Sequence, residues 1–317
     1  MSPPTVLITD HAWPDLAIER AVIEAAGARL VAGPASAEAI GALVRTHQPA
    51  SILTCWAQVD AAAIAASPGL RHVGRIGVGL DNIDVAACTA RGVQVTNVPE
   101  YCTEEVSDHA VGFALAWTRG LVQLDREVRA GHWNPAGARL RRLADLTVGI
   151  VGFGRIGQAT ARKLGAFGCR LLAHSPRPLA ADTGVTALAL DALLAASDIV
   201  VLHLPLTPQT RGLFDARRIA TMKPGALLVN LSRGPVVDSA AVAAALQSGQ
   251  LGGAALDVLD SEPEVPAALL AQRGAMFTPH IAFSSDAALA ELRRRAAEEA
   301  VRLLAGHRPM NPCNALP

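Results

Sequence analysis

The run Leu146-Thr-Val-Gly-Ile-Val-Gly-Phe-Gly-Arg-Ile-Gly157 constrains the fold more than any other part of this 317-residue chain. Residues 148–151 suit a strand buried on both faces. They lead directly into Gly152-x-Gly154-x-x-Gly157, after which residues 158–167 follow a helical pattern. In such a strand–turn–helix unit the first glycine permits the tight turn, and the second lets backbone approach a pyrophosphate. The third lets helix and strand pack closely. Backbone N–H groups of Arg155, Ile156 and Gly157 open the helix, and its dipole favours an anion there. A glycine triplet alone specifies only a turn. Set between a buried strand and a helix, it reads as a dinucleotide-binding loop.

The chain is long enough for two domains, each with its own core. Hydrophobic residues make up 51% and charged residues 18%, so a globular protein is expected. Lys+Arg and Asp+Glu balance at 28 each, which argues against nucleic-acid binding. The five cysteines (Cys55, Cys88, Cys102, Cys169, Cys313) are scattered without a Cys-x-x-Cys pair. That pattern predicts reduced thiols in a cytoplasm and no zinc or other metal site. Neither a secretory segment nor an apolar stretch of membrane-spanning length is read, so a soluble cytoplasmic protein is expected.

Strands alternate with helical stretches from Thr5 onward. Strands are expected at 5–9, from 30, at 51–54, 72–76 and 93–98, with helices from Pro14, at 37–44 and at 59–66. Thr103 is expected to cap one long helix over 104–130, which would connect the domains and offer a surface to a second subunit. After the glycine loop, strands are expected at 170–174, 199–204, 226–231, 254–258 and up to Thr278. Helices are expected at 188–195, 240–247 and 287–304, the last returning to the first half. The alternation predicts two doubly wound α/β domains, each with a parallel sheet, one inserted into the other.

Ligands of doubly wound sheets bind at the carboxyl ends of the strands. Arg233 follows one such strand, Asp257, Asp260 and Glu262 the next, and His280 the last. Arginine, glutamate and histidine converging there suit hydride chemistry on a keto acid. A guanidinium grips a carboxylate bidentately and a histidine exchanges the hydroxyl proton. A carboxylate fixes the imidazole's tautomer and favours its protonated form. Each residue alone is equally a surface or structural group; their shared position downstream of the glycine loop carries the reading. In the first half, Gly77-Val78-Gly79 follows a strand. It reads either as a nest for a small carboxylate or as a plain turn. Trp56, Tyr101 and Cys102, near strand ends, line a pocket or fill the core.

These stretches also carry a resemblance. The series Gly77 to Asp84, Gly152 to Gly157, His203 to Pro208, Met222 to Ala226, Asn230 to Gly234, Ala255 to Pro263 and Thr278 to Ile281 resembles the D-isomer-specific 2-hydroxyacid dehydrogenase family. The resemblance covers nearly the whole chain. It implies a Rossmann cofactor domain (101–284) inserted into a flavodoxin-like substrate domain (1–100 and 285–317), and a homodimer. It also implies hydride transfer between NAD(P)H and a small 2-keto acid. Arg233 would bind substrate and polarise its carbonyl, Glu262 would partner the histidine, and His280 would be the acid/base. Asp257 matches the residue that bonds the nicotinamide carboxamide, and Val78 and Gly79 would hold the substrate carboxylate through backbone.

Two departures stand out. NAD-using members carry an Asp after the strand that follows the glycine loop; here Ser175 takes that place, with Arg177 beside it. Loss of the acid removes repulsion against a 2′-phosphate, which favours NADP over NAD. Phe283 follows His280 where relatives have Gly or Trp, so substrate size does not transfer from the family. Residues 97–106 resemble the branch that includes C-terminal-binding-protein corepressors, which leaves a nucleotide-sensing binding protein as the alternative. Oxidation of another small anion such as phosphite is a third reading.

Overall fold

The computed structural model describes residues 3–34, 40–138, 140–180 and 183–316. In chain order the first elements are β1 (Thr5–Ile8), α1 (Ala17–Ala25), β2 (Arg29–Ala32), α2 (Ile40–His47), β3 (Ser51–Thr54) and α3 (Ala61–Ala65). Then come β4 (His72–Arg75), α4 (Val85–Ala90), β5 (Gln94–Thr96), α5 (Thr103–Thr118) and α6 (Leu121–Arg129). The glycine loop lies between β6 (Thr147–Val151) and α7 (Arg155–Gly165). It is followed by β7 (Arg170–His174), β8 (Thr186–Ala187), α8 (Leu190–Ala196), β9 (Ile199–Leu202), α9 (Ala216–Ile219) and β10 (Ala226–Asn230). The last are α10 (Ser239–Ser248), β11 (Leu251–Leu256), α11 (Ala267–Leu270), β12 (Ala275–Phe277) and α12 (Asp286–Leu304).

The chain divides into two compact units, Met1–Tyr101 with Ser285–Pro317, and Cys102–Ser284. The first contains a parallel sheet in the order β2-β1-β3-β4-β5. β1 and β3 are buried along their whole length, as strands covered on both faces must be. Leu7, Ile52, Val73 and Val95 from the strands meet Ile40, Val44 and Ile64 from the helices in one core. α12 packs on α1, β3 and β4. Its Arg293 forms a bidentate pair with the fully buried Glu19 of α1, Nε to Oε1 and Nη2 to Oε2 both 2.8 Å. His72 bridges three neighbouring strands, with Nδ1 2.8 Å from the Ser51 hydroxyl and Nε2 2.8 Å from that of Thr96. Burial pushes this imidazole down to about 3, so it stays neutral.

The second unit contains a seven-stranded parallel sheet in the order β12-β11-β10-β9-β6-β7-β8. Counted from β6, this is the Rossmann order, with its reversal between β6 and β9. Leu172, Val200, Leu202 and Leu228 of the strands pack with Phe214 and Val242. Both units are thus doubly wound, as the alternation of elements implied.

Local differences from the sequence reading have physical causes. The long helix over 104–130 is two helices, because Gly120 adopts a left-handed conformation (φ 62°) between α5 and α6. Thr103 is the first residue of α5 and not its cap; Cys102 holds that position without a side-chain hydrogen bond. α4 was not foreseen: its six residues, Val-Ala-Ala-Cys-Thr-Ala, are too short to display a period, and Asp84 caps them. The start of the helix expected over 37–44 lies outside the described residues, and α2 runs on to His47. Among the described residues, no helix is long and apolar enough to cross a membrane.

Candidate active site

The strand ends of the second unit build the site from backbone outward. β10 closes on Asn230, which is fully buried. Asn230 Oδ1 accepts from the Ser232 N–H at 3.1 Å and the Ser232 hydroxyl at 2.7 Å, while Nδ2 donates to the Arg233 carbonyl at 3.1 Å. This clasp fixes the turn that presents Arg233, whose Nη1 donates to the Ser232 carbonyl at 2.8 Å. Gly234 then passes so close to the next loop that a Cβ there would lie 1.8 Å from the Leu259 carbonyl oxygen.

That next loop follows β11. Glu262 Oε1 accepts from the Leu259 N–H at 2.8 Å, and Oε2 lies 2.8 Å from His280 Nδ1. Burial alone would raise the Glu262 carboxyl. The hydrogen bonds from His280 and Leu259 and the charges of His280 and Arg233 outweigh it, and the group is held below its ordinary range. Glu262 is therefore ionised and accepts a proton-bearing Nδ1, which leaves Nε2 for exchange. Arg233, Glu262 and His280 are brought together within one unit.

Asp257 organises the histidine's loop. It is 4% exposed, and its Oδ1 accepts from the Thr278 hydroxyl at 2.5 Å and the Ile281 N–H at 2.9 Å. Oδ2 accepts from the Ala282 N–H at 3.0 Å, and the Asp257 carbonyl accepts from the His280 N–H at 2.8 Å. These bonds hold His280 in a left-handed conformation (φ 53°), which costs about 1–2 kcal/mol in a residue with a Cβ. Phe283 stands edge-on to the imidazole, ring centroids 6.2 Å apart. His109 of α5 was not picked out from sequence. Its Nε2 lies 3.1 Å from the Thr278 hydroxyl, which extends the chain from Asp257. A histidine inside an amphipathic helix gives no sign of which neighbour it reaches; the Thr-Pro-His run was the only available hint.

The glycine loop divides its labour. Gly152 has φ 98°, and a Cβ there would lie 2.2 Å from the His203 carbonyl oxygen. A Cβ at Gly157 would lie 2.2 Å from the Gly152 carbonyl oxygen, yet one at Gly154 would meet nothing within 4 Å. Two glycines thus serve packing, and the third borders open space beside the start of α7, which no side chain caps. An open cradle and a helix N-terminus fit the pyrophosphate of a nicotinamide dinucleotide. His203 supports the loop from β9 with Nε2 3.0 Å from the Thr160 hydroxyl, and burial pushes it down to about 4. Ser175 directly follows β7; its hydroxyl accepts from the Arg177 N–H at 3.2 Å, and the Arg177 side chain is exposed.

The remaining named residues lie in the first unit, except Cys102, which opens the second. Val78 and Gly79 follow β4, where the Asn97 carboxamide donates to the Val78 carbonyl at 2.6 Å. Of the three residues left between pocket and core, Tyr101 (8% exposed) and Cys102 (3%) are buried, while Trp56 is 45% exposed.

Of the two parallel α/β units, the second carries both the glycine cradle and the Arg–Glu–His cluster. The sequence profile described as "D-isomer specific 2-hydroxyacid dehydrogenase, NAD binding domain" matches residues 111–282. The D-3-phosphoglycerate dehydrogenase of Mycobacterium tuberculosis is 39% identical over 313 residues, 96% of this chain and 58% of that protein. The chain thus spans little more than half the length of that relative. The glyoxylate reductase of Thermofilum pendens is 37% identical over 84% of this chain and 82% of its own length. Among solved structures, an NADPH-dependent glyoxylate/hydroxypyruvate reductase from Sinorhizobium meliloti, in complex with NADP and malonate, superposes with a TM-score of 0.86. It has 32% identity and covers 98% of this chain and 97% of that one. The chain belongs to the D-isomer-specific 2-hydroxyacid dehydrogenase family.

Proposed function

We propose that this protein reversibly reduces a small 2-keto acid to the D-2-hydroxy acid, using NADP in preference to NAD. The observation that carries the reading is the 2.8 Å pairing of His280 Nδ1 with an ionised Glu262 in the field of Arg233. The nicotinamide, when bound, supplies or accepts the hydride at the substrate's second carbon. His280 Nε2 gives the proton to the carbonyl oxygen, because Nδ1 is committed to Glu262. Arg233 grips the carboxylate and stabilises negative charge as it develops on that oxygen. Backbone donors of the Val78–Gly79 turn would serve a substrate carboxylate.

Gly152, Gly154 and Gly157 with the start of α7 would hold the pyrophosphate through Arg155 and Ile156 backbone, and Asp257 would meet the carboxamide. Ser175 and Arg177 stand where an acid would otherwise repel a 2′-phosphate, which supports NADP. Leu121, Val128 and Trp133, which are 57%, 47% and 83% exposed, supply an apolar surface for a homodimer.

The test is His280→Ala. Its kcat for keto-acid reduction should fall about 10²–10⁴-fold, while the dissociation constant for the reduced cofactor, read by fluorescence titration, stays within about threefold. Turnover retained at the wild-type rate would refute the acid/base assignment.

A further inference from the structure

The flavodoxin-like sheet of the first unit reverses direction between β1 and β3, and ligands of such sheets bind outside the strand carboxyl ends at that reversal. Cys55-Trp56-Ala57 lies there, directly after β3. Its backbone is clamped from both sides by side chains of neighbouring loops. The buried Asp10 carboxylate accepts from the N–H groups of Cys55 (3.0 Å), Trp56 (2.8 Å) and Ala57 (3.2 Å). The Asn82 carboxamide donates to the carbonyls of Cys55 (3.3 Å) and Ala57 (2.9 Å). Thr54 adds a bond from its hydroxyl to the Ala57 carbonyl at 2.9 Å. A tripeptide so fully held is rigid, and what it presents outward is the indole of Trp56, 45% exposed.

The adjoining strand is β4, paired in register with β3 (Thr54 opposite Arg75), so the Trp56 loop runs beside the Gly77–Gly79 turn. Asn82, on the far side of that turn, is the residue that clamps the Trp56 loop. The loops at this end of the sheet, residues 9–16, 55–60, 76–84 and 97–101, contain no lysine or arginine. They contain Asp10, Asp15, Asp60, Asp81, Asp84 and Glu100; α12 brings Arg293 to Asp15 and Arg295 to Glu100, which leaves the acids in excess. Arg75, the last residue of β4, turns its Nη1 back to donate to the carbonyl of its neighbour Ile76. A phosphorylated tail would meet an excess of negative charge here, whereas an apolar or aryl tail would meet an aromatic face on a held backbone.

We propose that Trp56 sets specificity for the substrate's tail, so that the protein prefers 2-keto acids with an apolar or aryl third carbon over phosphorylated ones. This rests on the keto-acid reductase reading above, with the substrate carboxylate at Val78–Gly79. The assay is steady-state oxidation of the reduced cofactor with phenylpyruvate, 3-phosphohydroxypyruvate and tail-less glyoxylate. For the wild type, kcat/KM for phenylpyruvate should exceed that for 3-phosphohydroxypyruvate at least about tenfold, the scale set by covering one aromatic face. Trp56→Ala should lower the ratio of phenylpyruvate to glyoxylate kcat/KM about tenfold, and Trp56→Phe, which keeps a ring, should largely restore it. The proposal is overturned by a preference for the phosphorylated acid, or by an unchanged ratio in both variants. Glyoxylate turnover without an aryl preference sinks this proposal alone. Failure of the wild type on all three acids, with the cofactor still bound, sinks the parent reading.

Discussion

Gly234 shows how a residue with no side chain governs where two charged neighbours, Arg233 and Glu262, are placed. A Cβ at this position would lie 1.8 Å from the Leu259 carbonyl oxygen, and Leu259 is also the residue whose N–H holds Glu262. Gly234→Ala must therefore separate the Arg233 turn from the Glu262 loop, since neither backbone can yield cheaply. It should lower stability by about 1–3 kcal/mol and depress kcat beyond any loss of folded protein, as read by thermal melting alongside keto-acid turnover. A variant as stable and active as wild type would show that this contact has no part in positioning the pair. That Arg233, Glu262 and His280 come together was legible from sequence because each is a polar residue type just past a buried strand. The supporting roles of Asn230, Asp257 and His109 were not. A hydrogen bond across 169 positions, as between His109 and Thr278, leaves no local pattern.

At the scale of elements, the β6–α7 unit makes a separable statement about each glycine of its loop and first helical turn. Gly154→Ala places a methyl group in open space, so stability should change by no more than about 0.5 kcal/mol. Cofactor affinity should nevertheless fall about tenfold, because the methyl occupies the approach of the pyrophosphate. Gly157→Ala meets the Gly152 carbonyl oxygen at 2.2 Å and should instead cost about 1–3 kcal/mol of stability. Thermal unfolding and cofactor titration of the two variants distinguish the roles; identical behaviour of both would contradict the division. Most strands were legible as apolar runs, and β3 and β7 to the residue. Short helices such as α4 and the two-residue β8 carry too few positions to show a period, and the break at Gly120 depends on one left-handed residue inside an otherwise continuous apolar pattern.

Over the whole molecule, a chain that leaves one doubly wound sheet, builds another and returns places its last helix against its first. Arg293 and Glu19, 274 positions apart, fix that return with two charge-assisted hydrogen bonds in a buried setting. Family membership and the Arg–Glu–His cluster support the central proposal of D-specific 2-keto acid reduction. The most direct measurement is reduction of a 2-keto acid by the intact wild-type protein, with NADPH and NADH run in parallel and the product hydroxy acid resolved on a chiral column. Stoichiometric formation of the D-isomer is expected, with higher kcat/KM for NADPH. An L-product, or no turnover while cofactor binds, would contradict it.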